Sequence, residues 1–143
     1  MNKRWIILPI LLIVLLGLYF LINSGRSTSI QELFTDEGIN RSEITSIDTV
    51  KSSTDEKVSI TEPKQINKIV TELSKLQLKE ENFTEAENSQ SYWVTIKANN
   101  ERRLGMTFFD QDFLSIYNFK DKKQYNYKIT DNSNINAIKD LFK

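Results

Sequence analysis

Tyr92-Trp93-Val94-Thr95-Ile96-Lys97-Ala98 is the stretch on which the fold turns. Tyr92, Val94, Ile96 and Ala98 alternate with Trp93, Thr95 and Lys97, the two-residue period of a strand with one face in a core and the other open. Asn99-Asn100-Glu101 follows as a hairpin turn, because asparagine tolerates the positive φ that a tight turn demands. Residues 102–109 repeat the pattern, with Leu104, Met106 and Phe108 alternating with Arg103, Gly105, Thr107 and Phe109. Two more runs, residues 113–119 and 124–130, are separated by polar turns at 110–112 and 120–123. Residues 92–130 therefore predict a four-strand antiparallel meander.

Upstream, Thr61-Glu62-Pro63 opens a helix, with Thr61 as cap and proline in the first turn, where its missing N–H costs nothing. Ile66, Ile69, Val70, Leu73 and Leu76 form one apolar stripe, and Lys64, Lys68, Glu72, Lys75 and Lys79 lie opposite. Burying the stripe contributes roughly 7–15 kcal/mol gross, an upper bound because denatured chains are already compact. Residues 44–51 and 56–61 are β-branched runs around Ser52-Ser53-Thr54-Asp55 and read as a hairpin. Ile44, Ile47 and Val50 do not share one face, so the first of these strands is expected at an edge or with a bulge. Ser29-Ile30-Gln31-Glu32 has capping-box spacing and starts a short helix that Asp36-Glu37-Gly38-Ile39-Asn40 ends. Residues 80–90, with Glu80, Glu81, Glu85 and Glu87, lack periodicity and read as a loop. A last helix, capped by Asp131 or Ser133, carries Ile135, Ile138, Leu141 and Phe142.

At the other end, residues 5–22 carry no charge. As a helix they measure roughly 27 Å, against a hydrocarbon core of about 30 Å. Lys3 and Arg4 on one flank and the single Arg26 on the other predict a cytoplasmic N-terminus and an extracytoplasmic remainder. A cleaved signal peptide is the alternative, but Leu21-Ile22-Asn23-Ser24 offers no small-x-small site. The expected organisation is a tail at 1–4, a transmembrane anchor at 5–22, a tether and short helix at 23–43, and a domain at 44–143. The expected fold class is α+β: a transmembrane helix, then an antiparallel sheet with two helices on one face, in the order β-β-α-β-β-β-β-α.

That order is similar to the helix-on-curved-sheet architecture of TATA-box-binding-protein-like folds over roughly residues 44–143, a resemblance that implies a shape and nothing about DNA. Its Lys/Asn/Ile richness, short anchor and single domain also make the chain look like small, membrane-anchored, uncharacterised extracytoplasmic proteins of low-GC Gram-positive bacteria. That likeness supplies no functional residues.

The sequence contains no histidine and no cysteine. Ser-His-Asp and Cys-His nucleophile systems are thereby excluded, as are ordinary His/Cys zinc sites and disulfides. No metal site and no cofactor is expected. Asp110-Gln111-Asp112 and residues 131–134 lack the glycine and distal glutamate of a calcium loop and are better explained as turn and cap. With Lys3 and Arg4 set aside, 17 basic side chains face 19 acidic ones. That near balance argues against general nucleic-acid affinity. The charge is unevenly spread: residues 91–130 hold seven basic and four acidic side chains, residues 23–90 eight and thirteen.

The sheet face turned away from the helices is the candidate binding surface, with Trp93, Lys97, Arg103, Phe109, Tyr117 and Lys128 on it. Aromatics interleaved with cations suit a protein or an anionic polymer. The competing expectation is that residues 30–42 cover these aromatics. The function expected is a non-enzymatic, membrane-tethered extracytoplasmic binding module that contacts an envelope protein or wall polymer. The alternatives are a subunit of a membrane complex held through its span and a carboxylate-dependent wall-glycan enzyme, which needs two acids across a cleft.

Overall fold

A computed structural model of the chain describes residues 4–23, 25–84, 90–110, 112–131 and 135–143, with side chains described from residue 9 onward except that of residue 23. Helix α1 runs Arg4–Asn23, β1 Ser27–Ser29, α2 Ile30–Asp36, β2 Ile44–Lys51, β3 Glu56–Ile60 and α3 Pro63–Ser74. Strand β4 is Gln77–Glu80, β5 Ser91–Ala98, β6 Glu101–Phe109, β7 Phe113–Asn118 and β8 Lys123–Ile129, and α4 covers Asn136–Lys139. The eight strands form one antiparallel sheet in the order β1-β4-β8-β7-β6-β5-β2-β3. The α+β class is as expected, with two strands more than the sequence reading supplied.

The meander forms where alternation and turn chemistry agree. Asn99 and Asn100 adopt φ of 52° and 65°, so a two-residue turn joins β5 to β6. Tyr92, Val94, Ile96, Ala98, Leu104, Met106 and Phe108 are all buried on the helical side. Ile66, Ile69, Val70 and Leu73 of α3 pack against them, together with Ile30 and Phe34 of α2 and Ile138 of α4. Strand β2 carries the expected bulge, at Ile44/Ser46, between β3 and β5. The capping box also forms: the Glu32 N–H donates to Ser29 Oγ at 3.2 Å and the Ser29 N–H to Glu32 Oε2 at 3.2 Å.

Several expectations are corrected. Among the described residues, no helix is long and apolar enough to cross a membrane. The expected transmembrane helix is thus not supported. Residues 27–29, read as tether, pair with β4, and Ile30, Phe34 and Ile39 belong to the same core as the sheet. Gln77–Glu80 is a strand rather than helix end and loop, because α3 stops at Ser74 and Leu76 enters the core from the turn beyond it. Glu62, not Thr61, is the N-cap of α3, without a side-chain bond, and Pro63 sits in the first turn. Ile135 is the N-cap of α4, again without a side-chain bond. The alternative cap Ser133 and residues 85–89 of the acidic loop lie outside the described residues.

Candidate functional site

Helices α2, α3 and α4 lie on one side of the sheet, so its other side is the surface left for contact. The strand registers arrange that side in rows. One row reads Lys57, Val50, Trp93, Thr107, Ser115, Asn126 across β3, β2, β5, β6, β7 and β8. The next reads Ser59, Asp48, Thr95, Gly105, Tyr117, Gln124, and a third brings Ser46, Lys97 and Arg102 together. A fourth, at the opposite end, joins Ser91, Phe109, Phe113, Lys128 and Lys79.

Trp93 stands at the middle of this face with 54% of its surface exposed. It separates two recesses. One, of about 400 Å³, lies toward β2 and β3 and is lined by Asp48, Val50, Lys57, Ser59, Thr95 and Arg102 beside Trp93. The other, of about 570 Å³, lies over β6 and β7, with Gly105, Thr107, Ser115, Tyr117, Phe119 and Gln124 around the indole. Gly105 makes the second recess possible. A Cβ there would come within 3.3 Å of the Phe119 ring and 3.4 Å of the Trp93 indole nitrogen, so the two rings lie close over bare backbone.

The other expected residues are distributed differently. Lys97 Nζ is 2.7 Å from Asp48 Oδ2, and Ser59 Oγ also donates to Asp48. Arg103 leaves the face: Ile96 pairs with Leu104 but Lys97 pairs with Arg102, so a bulge at Arg103 interrupts the register. Its guanidinium donates to the Glu37 carbonyl at the end of α2, 2.9 Å away. Arg102 takes the place assigned to Arg103, its guanidinium carbon 5.9 Å from the centre of the Phe119 ring. The signal for this lay in the turn. A two-residue hairpin at Asn99-Asn100 sets Lys97 against Arg102, whereas the apolar alternation sets Ile96 against Leu104. The two registers differ by one residue, and a bulge is the only way to satisfy both.

Phe109 is buried, because Phe83 covers it. The Phe83 ring lies 5.4 Å from Phe109 and 4.7 Å from Phe113, centre to centre, and Lys128 Nζ sits 5.9 Å from the centre of the Phe113 ring. One end of the face is thus closed by a residue from the segment after β4. Residues 30–42 do not cover it, since they pack on the helical side. Tyr117 remains on the face, edge-on to Phe119 at 5.0 Å.

Within the strands the open face carries Lys57, Lys79, Lys97, Arg102 and Lys128 against one acid, Asp48. Burial raises the Asp48 pKa, but hydrogen bonds from Lys97 and Ser59, with the nearby charges of Lys97 and Arg102, outweigh it, and the net shift is downward. A carboxyl held ionised stabilises the fold above its unfolded pKa of about 3.8 and loses that contribution as pH falls through the lower folded value. The pair is about one-third exposed, so the contribution is below about 1 kcal/mol. Asp48→Asn should therefore destabilise the protein by that small amount at neutral pH. The difference from wild type should shrink as pH drops below about 4. Urea unfolding across that range checks it, and a gap that widens on acidification contradicts the pairing.

A third recess, on the helical side, holds Asp36, Glu37 and Glu80 near Arg26, Tyr125 and Tyr127. Burial, followed by the charge of Glu80, raises the Tyr127 pKa.

No protein-family model, curated protein or solved structure matches the chain. The likenesses in element order and composition therefore add no residue to the site, and its reading rests on geometry.

Proposed function

We propose that the protein is a non-enzymatic binding module whose working surface is the open face of the sheet, and that its partner is a component of the cell envelope. The observation that carries this reading is Trp93: a large aromatic, more than half exposed, set between two recesses on a face with five cations and one acid. Exposed aromatics at the centre of a patch are the usual anchors of an interface. The chain has no histidine or cysteine, and among the described residues Asp48 is the single carboxylate lining either open-face recess. A carboxylate-pair mechanism has no second acid there.

The test is photo-crosslinking in intact cells from a photoreactive aromatic residue at position 93, which keeps an aromatic ring at the centre of the face. The expected result is a discrete adduct with one envelope component. A folded protein that yields no adduct, or one that captures a cytoplasmic component, overturns the reading.

A further inference from the structure

The two recesses beside Trp93 differ in chemistry, and that difference defines a ligand class. Every described side chain lining the recess over β6 and β7 is uncharged. Its floor is Gly105 beneath the Trp93 and Phe119 rings. Its rim is Thr107, Ser115 and Gln124, groups that both donate and accept, and Gln124 Nε2 already donates to Ser115 Oγ at 2.8 Å. Flat aromatic surface with neutral two-way hydrogen-bonding groups matches a sugar ring: its C–H face meets the electron-rich face of an indole, and its hydroxyls meet the rim. On the other side of the indole is Arg102, exposed, whose guanidinium approaches the Phe119 ring and whose charge acts on Asp48 in the same recess, with no side-chain hydrogen bond or close ion pair among the described residues. A planar guanidinium in that state favours a carboxylate, which it binds through two parallel hydrogen bonds.

We propose that this face binds an acidic glycan, with one ring stacked on Trp93 over Gly105 and the carboxylate of that ring or the next on Arg102. The inference rests on the open-face reading above and names its ligand. A nucleic acid carries a phosphate at every residue, so cations would have to follow it through the aromatic recess, where there are none. Lys97 is already engaged by Asp48, which leaves Arg102 as the cation beside the aromatic floor. Lys57 and Lys128 stand further out along the strand rows, where additional acid groups of a chain would pass.

The experiment uses the full chain with Trp5→Phe, so that fluorescence reports Trp93 alone. Three probes are titrated: short polygalacturonate oligomers, the same oligomers with their carboxyls methyl-esterified, and oligothymidylate. The expected result is quenching or a spectral shift with polygalacturonate, and binding weaker by roughly tenfold or more with the esterified oligomers. By calorimetry, Arg102→Gln should lower the affinity by a similar factor and Trp93→Ala should abolish binding, both with an unchanged circular-dichroism spectrum. Equal binding of the esterified oligomers, stronger binding of oligothymidylate, or indifference to Arg102→Gln overturns the proposal. A position-93 adduct with a protein, together with no polygalacturonate binding, overturns the glycan assignment and leaves the open-face reading standing. Absence of any adduct removes both.

Discussion

Phe34→Ala should lower the unfolding free energy by about 3–5 kcal/mol, the range for emptying a buried phenylalanine site. Phe34 is 1% exposed and lies in the same core as Ile30, α3 and the sheet. Helix α2 has seven residues, too few to persist without tertiary contacts. Its C-terminal end is also tied by backbone carbonyls, which the substitution keeps: the Ile39 N–H donates to that of Phe34 at 2.8 Å and Arg103 to that of Glu37. Truncating the ring leaves a cavity beneath a short helix that Ile30 and Leu33 alone would then seat on the core among its described side chains. For a domain with the usual 5–15 kcal/mol of stability, that is a large fraction. Urea unfolding should show a lower midpoint at unchanged slope. A loss under about 1 kcal/mol would mean that α2 is not seated as described.

Gly25→Val is the second large effect, expected at about 1–3 kcal/mol. A Cβ at Gly25 would fall well inside van der Waals contact of the Glu80 carbonyl oxygen, and that oxygen belongs to backbone that cannot swing aside. The neighbouring bond, Glu80 N–H to the Arg26 carbonyl at 2.9 Å, holds the two segments at this separation. Relief requires β1 to move off β4, which unpairs Ser27–Ser29 and pulls on the start of α2. Amide exchange at Glu80 and Leu78 should accelerate along with the loss of stability. Unchanged exchange at both amides would show that the close approach is absent.

The sequence was most informative where two signals coincided. Strands β5 to β8 combine alternation with turn residues that accept positive φ, and α3 combines a stripe with a first-turn proline. Strands β1 and β4 escaped because Ser27-Thr28-Ser29 has no apolar residue and Gln77-Leu78-Lys79-Glu80 has one, so neither shows a period. Their place in the sheet comes from pairing with each other and with β8, information that is not local. The same limit displaced one residue of the site. Arg102 and Arg103 are adjacent and alike, and only the clash of two registers tells which one faces Trp93. Phe83 was unreadable for another reason: it lies among acidic and polar residues, and nothing local announces that its ring closes over Phe109 and Phe113. In α1, hydropathy over residues 5–22 pointed to a membrane span, and among the described residues no helix meets that length and apolarity.

The sheet ends in β1 on one side and β3 on the other, and neither edge is an attractive template for a further strand. Strand β1 offers three small hydroxyl-bearing residues, too short to nucleate a new ladder. Strand β3 begins with Glu56 and Lys57, whose charges would have to be brought against a neighbour's backbone. An open eight-stranded sheet is the kind of structure from which fibrils grow by edge-to-edge addition. Here the strands rich in valine, isoleucine and phenylalanine lie in the middle, and the polar, abbreviated ones stand guard outside. The chain can keep a broad flat face uncovered without inviting its own copies to extend it.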